Sequence, residues 1–587
     1  MFLALAAGAG VSAWQAVEAT AAREEARGAE RAAKGERDRA ETERAKAEAE
    51  RAVTKAVNEF WVKDVLDQAR PDQTPDRDLT LRAALDRAAQ RIPGRFDRQP
   101  LVEAAIRITI GEAYGTLGHD AVSVPHLERA LELYRRELGT GQPDTLNAMN
   151  SLGWAYLGTG QTARADALFE EALASAHRSL GLDHPASRMA VSVVANRATA
   201  RKDYARAERL LTESMAAATQ GPGTGGDTTL GHLASGPPVE HAGGDPTIGY
   251  LRSRLAGLYG RLGRFAEAEP VLVRNLEERR RHLGNDNSET VYAIVALAML
   301  YKQWERYPEA EVLAAEALAT RRRVLGNDHS DTWNSMRLLA ELHTAQKRYP
   351  AAEALYAEDV GHRRRVHGPH NARTLDAMYH QALLYLTWGR PASAERLLTE
   401  VLEHGRAVWG AEGPPTLNVM RNLARAHEAQ GQYSKAEPLR TQVLRAVRRK
   451  GGAEHTDALS AAMALSADLM SLQRHAEAEQ LLRETLAVRA RKYPDAWTTF
   501  NSRAMLGAAL LAQKRYAEAE PLLVAGYEGM KQREKTIPRV DLFRLPLAVD
   551  RLIRLYTATG KPDEVAKWRA ERAKYPPERA PMPREKK

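Results

Sequence analysis

Five groups of residues in this 587-residue chain have types and spacings from which chemistry could be built. Gly221, Gly223 and Gly226 fit G-x-G-x-x-G, whose backbone amides cradle a pyrophosphate when the pattern follows a strand and opens a helix. Here it follows a helical pattern, Tyr204–Ala218, and Asp227 stands where a phosphate loop would place lysine. Residues 221–246 hold eight Gly and four Pro, so the stretch reads as a disordered loop between structured segments. His362, His367 and His370 are metal-ligand types, but Arg363, Arg364 and Arg365 between them would repel a divalent cation, and no carboxylate pair completes a site. An Ala-Glu pair recurs along the chain. Its period of 42 residues keeps each carboxylate far from the next, which excludes paired acid–base work and leaves a packing or capping role. There is no cysteine, hence no thiolate nucleophile and no thiolate-bound metal. These readings predict a chain that is not an enzyme and needs neither cofactor nor metal.

The remaining polar residues point to binding. One recurring helical column contains Asn147, Asn334, Asp376, Asn418 and Asn501; the column three residues on contains Asn150, Arg337, Tyr379 and Arg421. A carboxamide can donate to a backbone carbonyl and accept from a backbone amide. Arginine triplets recur in register as Arg279, Arg280, Arg281, then Arg321, Arg322, Arg323, then Arg363, Arg364, Arg365, with Arg489 and Arg491 later. Two readings stand for these: cations favoured at helix C-termini by the macrodipole, about 0.3–1 kcal/mol each, or a basic ridge for an acidic peptide or anionic lipid. Aromatics are not interleaved with the basic groups, so nucleic acid is not an expected partner.

The elements that must carry these columns follow from internal repetition. Tyr204-ARAE, Phe265-AEAE, Tyr307-PEAE, Tyr349-PAAE, Pro391-ASAE, Tyr433-SKAE, His475-AEAE and Tyr516-AEAE recur at steps of 42 or 41 residues, apart from one step of 61 that holds an insertion. One column is always alanine, from Ala165 to Ala519. A facing column is small, from Gly153 through Ala340 to Gly507, and a bulky column three residues later includes Tyr156, Tyr259 and Tyr385. A small residue at a fixed helical position lets two helices approach, and the bulky one fills the space left. Glycines 139, 181, 284, 326, 368, 410 and 452 mark where each second helix ends, and a left-handed cap is expected there. Each unit is therefore helix, tight turn, helix, glycine turn, and about ten must stack to bury their apolar faces. A chain with 44% hydrophobic, 6% aromatic and 27% charged residues and net charge +9 suits such helices. The fold expected is all-α, a right-handed superhelix with the first helices on the concave side.

Here the chain resembles the tetratricopeptide repeat in its longer 42-residue form, as in kinesin light chains. The string that carries the resemblance is ALxxRxxxLGxxHPxT…LAxxYxxxGxYxEAExL, best seen at 317–349, ALATRRRVLGNDHSDTWNSMRLLAELHTAQKRY, and again at 172–204. It spans residues 98–575. The resemblance implies an extended peptide held by Asn and Arg on the concave face. The double-Asn motif of the family is only partly present, at Asn150 and Asn422.

Before the repeats, residues 1–17 carry no charge, and three readings stay open: a short or truncated membrane anchor, a surface helix end, or a cleaved signal. Residues 18–56 hold ten acidic and ten basic side chains without Leu, Ile, Met or aromatics. They read as a charged helical spacer, with a coiled coil and oligomerisation through this segment as the second reading. Residues 57–97 read as a short helical connector, residues 219–247 as the Gly/Pro-rich insertion, and 576–587 as a disordered basic tail. The order of uncharged segment, charged helix and LRAALDRAAQRI (81–92) also resembles the tail of bacterial membrane-anchored serine/threonine kinases, yet no VAIK-like lysine, HRD or DFG is present. The kinase would then lie on another chain or upstream of Met1. The reading is a protein-binding scaffold, membrane-associated through its first segment or else cytoplasmic.

Overall fold

The computed structural model of the chain describes most of residues 34–67, then 80–220 and 246–575. The uncharged segment 1–17, residues 18–33, nearly all of the insertion and the basic tail 576–587 lie outside the described residues. Two compact units divide the chain, Met1–His282 and Leu283–Lys587. All regular structure among the described residues is helical.

The first unit holds α1 (Leu81–Gln90), α2 (Pro100–Thr116), α3 (Asp120–Leu138), α4 (Pro143–Gly158), α5 (Thr162–Leu180), α6 (Pro185–Ala200), α7 (Tyr204–Gln220), α8 (Pro246–Arg261) and nearly all of α9 (Phe265–Leu283). The second holds α10 (Ser288–Gln303), α11 (Tyr307–Leu325), α12 (Ser330–Ala345), α13 (Tyr349–His367), α14 (Ala372–Trp388), α15 (Pro391–Trp409), α16 (Pro414–Ala429), α17 (Tyr433–Gly451), α18 (Thr456–Ser471), α19 (His475–Lys492), α20 (Trp497–Ala512), α21 (Tyr516–Gln532), α22 (Arg544–Ala558) and α23 (Pro562–Arg572). From α2 onward each even-numbered helix opens a hairpin and the next closes it. First helices of successive hairpins touch, α4 on α6 in one unit and α14 on α16 in the other, so they form the inner face of each stack.

The alanine column is fully buried at every position, from Ala165 to Ala519. The facing small column is as tight as the sequence implies. A Cβ on Gly153 would lie 2.3 Å from the Phe169 ring, and one on Gly507 would lie 2.8 Å from Leu523 Cγ. On the second helix, the column containing Leu355, Leu397 and Leu481 is only half-buried; the residue after each, Tyr356, Leu398 and Leu482, is the one fully enclosed. The glycines that end the second helices have positive φ, but at Gly326 and Gly368 ψ is 172° and 165°, not the left-handed helical cap expected. That corner of backbone space is open essentially to glycine alone.

The loop that follows is closed from both sides. Thr332 Oγ1 donates to the Gly326 carbonyl at 2.7 Å and Thr374 Oγ1 to that of Gly368 at 2.8 Å. The histidine of the repeat string caps the next helix: Nδ1 of His184, His329 and His455 accepts the amide two residues on, at 3.1, 3.1 and 3.2 Å. This satisfies an amide that the helix itself leaves unpaired.

The segment 57–97 is more than a connector. The charged helix runs on through a wide turn, Trp61–Leu66, and buries Phe60 and Val65 with Leu85, Ile92, Ile106 and Tyr114. Asp64, buried there, is held by Arg95 at 2.8 Å and Arg91 at 3.2 Å. These residues cover the apolar end of the first hairpin.

Candidate protein-binding face

The recurring glutamates lie between hairpins and take the structural role expected. Glu353 accepts the Tyr385 hydroxyl at 2.6 Å, Glu208 that of Tyr259 at 3.1 Å and Glu520 that of Tyr556 at 3.1 Å. Burial and the nearby carboxylate push the Tyr385 phenol up to about 12. Where the tyrosine is absent, Glu311 accepts from Gln346 at 2.8 Å and from Arg348 at 2.9 Å.

The arginine triplets are absorbed into the stack. The first member turns inward: Arg321 Nη1 donates to the Asp331 carbonyl at 3.0 Å and to Ser335 Oγ at 2.9 Å, and Arg363 is buried with Asp359 at 2.7 Å. Burial lowers the Arg321 pKa and raises that of Asp359. The second member reaches forward, Arg322 to Glu358 at 2.7 Å and Arg364 to Glu400 at 3.4 Å. The third reaches back, Arg323 to Asp286 and Arg365 to Asp328. Arg489 repeats the inward form and Arg491 the backward one, to Glu454. In the first unit Arg279 Nε lies 3.4 Å from Asn275 Oδ1, while Arg280 and Arg281 are exposed. Arg321 and Arg363 thus sit out of reach of a partner. The three histidines go separate ways: His362 to Asp328 at 2.7 Å, His367 edge-on to Trp333, His370 stacked on His404. Among the described residues no group of His, Cys, Asp and Glu could hold a metal ion.

The two polar columns fall on the inner face. In the second unit they join into a chain of contacts across hairpins. Arg337 Nη1 lies 3.3 Å from His380 Nε2, and His380 lies 3.7 Å from Asp376, which also stands 3.7 Å from Arg363. Desolvation outweighs Asp376 and lowers the His380 pKa, so the neutral ring can accept from Arg337. Tyr379 Oη accepts from Asn422 at 2.9 Å; Arg421 donates to Asn418 at 3.1 Å and Arg425 to Asn422 at 2.9 Å. Asn334 and Asn418 remain exposed. In the first unit Asn147 and Asn150 are half-buried, and Asn150 Oδ1 has no hydrogen-bond donor. Asn501 differs, being buried beneath the last hairpin. His380 and Arg425 were missed in the sequence; extending each column by one further step along the helix face would have found them.

No helix among the described residues is long and apolar enough to cross a membrane. A tetratricopeptide-repeat family model matches residues 102–178, 248–323, 305–358 and 415–491. No curated protein matches the sequence. Similar solved structures include BtubC (BKLC) from P. vanneervenii, 20% identical, covering 35% of this chain and 82% of that one with a TM-score of 0.32. The quorum sensor NprR from B. thuringiensis is 12% identical, covering 65% and 97% with a TM-score of 0.40. A tetratricopeptide repeat protein from Parabacteroides merdae is 14% identical, covering 51% and 91% with a TM-score of 0.33. The matched stretches are tetratricopeptide repeats, and the 42-residue period and the hairpin geometry continue the same helix-turn-helix unit between them as an all-α repeat stack.

Proposed function

We propose that this scaffold, without catalysis of its own, holds an extended segment of a partner protein along the inner face of its second unit. The observation that carries the reading is the cross-hairpin polar chain from Arg337 through His380, Tyr379 and Asn422 to Arg425. Its members fix one another, so their remaining donors and acceptors are preorganised for a peptide backbone, which lowers the entropy cost of binding. Asn334, Arg337, Asp376, Tyr379, Asn418 and Arg421 are the residues assigned to contact it, with Asn147 and Asn150 as their counterparts in the first unit. Replacing Asn334, Arg337, Asn418 and Arg421 together by Ala should abolish partner capture with helicity unchanged. Undiminished capture by that variant sinks the reading.

A second reading, a docking tail for a membrane serine/threonine kinase, is supported by the charged helix entering the first hairpin as its cover rather than ending before it. An in-frame kinase domain upstream of Met1, or co-purification with such a kinase, would decide for it.

A further inference from the structure

The far end of the inner face in the second unit is poor in acids. Helix α20 carries no Asp or Glu at all. The single acid of α22, Asp550, is tied to Arg572 at 3.0 Å. Against this acid-free surface stand four arginines. Arg489 reaches across from α19 and donates to the Thr498 carbonyl and to Ser502 Oγ, each at 2.8 Å. Arg551 lies on α22 and points its Nη1 at the Ala504 carbonyl, 3.4 Å away. Arg544 precedes it by two helical turns on the same face, and Arg554 follows by one turn and is exposed.

Only Arg544 has a carboxylate, Asp541 at 2.8 Å. Among the described residues none pairs with Arg489, Arg551 or Arg554. Arg489 repeats the inward form of Arg321, held by a carbonyl and a serine, whereas Arg551 and Arg554 have no counterpart of that kind and stand beside it on α22. Burial, reinforced by the Arg544 and Arg554 charges, pulls Arg551 down to about 10, and burial with Arg544 does the same to Arg489. Partly buried cations without counter-charge raise the free energy of the fold unless something neutralises them.

We propose that Arg544, Arg551 and Arg554, backed by Arg489, form an anion site for a phosphate monoester group. Arg551 and Arg554 have no carboxylate and Arg544 has only Asp541, so the cluster keeps an excess of positive charge; a phosphate carries close to two negative charges and three acceptor oxygens. The planar forks of Arg551 and Arg554 suit its geometry, and Arg489, held by Thr498 and Ser502, adds positive charge beside Arg544. The site lies beyond the polar chain assigned above to a peptide backbone and does not depend on that assignment.

The test is thermal unfolding of the full chain in inorganic phosphate, and separately in phenyl phosphate, against acetate at matched ionic strength. Phosphate should raise Tm saturably and acetate should not. In Arg551→Gln the phosphate response should disappear and Tm without phosphate should rise, because an unpaired charge has been removed. Arg554→Gln, at an exposed position, should keep the fold and weaken phosphate binding at least tenfold. The quadruple Ala variant at Asn334, Arg337, Asn418 and Arg421 should respond to phosphate as the parent does, which separates failure of this site from failure of the peptide reading. Equal stabilisation by acetate, or an undiminished phosphate response in both arginine variants, overturns the proposal. A larger response to phenyl phosphate than to inorganic phosphate marks an ester as the ligand; equal responses mark the free anion.

Discussion

Two hairpin interfaces in the second unit occupy the same register with opposite chemistry. Between α13 and α14, Tyr356 packs on Leu384 with Ala340 and Ala352, an apolar cluster sealed from water. Two repeats later, between α17 and α18, the equivalent residues are Arg440 and Asp468. Asp468 is completely buried, its Oδ2 3.2 Å from Arg440 Nε, and Arg440 also reaches Glu428 and the Ala464 carbonyl. Desolvation pushes the Asp468 carboxyl up to about 6 despite Arg440, with Glu428 and Glu437 adding to the rise. The comparison teaches that backbone register fixes where two side chains meet and not how they hold. An apolar pair gains by leaving water; an ionic pair must first recover its desolvation.

Breaking the apolar interface should have the largest effect. Tyr356→Ala removes a large side chain from a closed site and should lower stability by about 4 kcal/mol. Urea unfolding should show that loss equally at pH 8 and pH 5, because nothing in the cluster titrates there.

Breaking the ionic interface should cost somewhat less and depend on pH. Arg440→Leu matches the leucines at the equivalent positions 398 and 482, but strands Asp468, for about 3 kcal/mol at pH 8. The sign follows from linkage. The folded carboxyl has its pKa raised above the unfolded value, so its contribution to stability is fully present below about pH 4 and is lost as pH rises through about 6. The penalty of Arg440→Leu should therefore shrink between pH 8 and pH 5. A pH-independent loss would show that Asp468 is not the stranded group.

Replacing both partners should reverse the sign. Arg440→Leu with Asp468→Leu converts the second interface into the first and should stabilise the chain by about 1–2 kcal/mol at pH 7. Amide exchange in α17 and α18 should slow, and the pH dependence assigned to Asp468 should vanish. Stability that falls instead would mean that the ionic pair contributes more than its apolar replacement.

What was legible in the sequence follows the same division. The alanine column and the small residues opposite it could be read because only one size fits between two helices in contact. Gly153 and Gly507, whose Cβ atoms would collide with Phe169 and Leu523, are that rule at its strictest. On the second helix the most uniform apolar column is not the most buried one. Leu355, Leu397 and Leu481 are uniform in type, whereas the enclosed column mixes Tyr356, Leu398, Arg440 and Leu482 and does not look like a core. The arginine triplets illustrate the harder case. Recurrence shows that a repeat needs them, but the acids that receive them, Glu358 for Arg322 and Asp286 for Arg323, stand 36 and 37 residues away, one hairpin forward or back. Only the stacked geometry brings them together. On the inner face, the polar columns showed which residues line it; that His380 links Arg337 to Asp376 depends on distances between helices that no spacing within one helix contains.

The smallest effect lies at the tight turns beside the two interfaces, and it sharpens the comparison by isolating backbone from side chain. The turn between α14 and α15 uses Gly389 at φ 78°, and the turn between α16 and α17 uses Gly431 at φ 73°. The turn between α12 and α13, next to the apolar cluster, uses Lys347 at φ 61°, and the turn between α18 and α19, next to the ionic pair, uses Gln473 at the same φ. A side chain there costs roughly 1 kcal/mol or more of backbone strain, while glycine adds roughly 0.5–1 kcal/mol of unfolded-state entropy. Lys347→Gly and Gln473→Gly should therefore each stabilise the chain by about 0.5 kcal/mol, by the same amount despite their different neighbours. Two equal small rises in Tm would establish that the turns are energetically separate from the interfaces they join. A gain at Lys347 without one at Gln473 would instead show that the ionic interface already strains the hairpin that follows it.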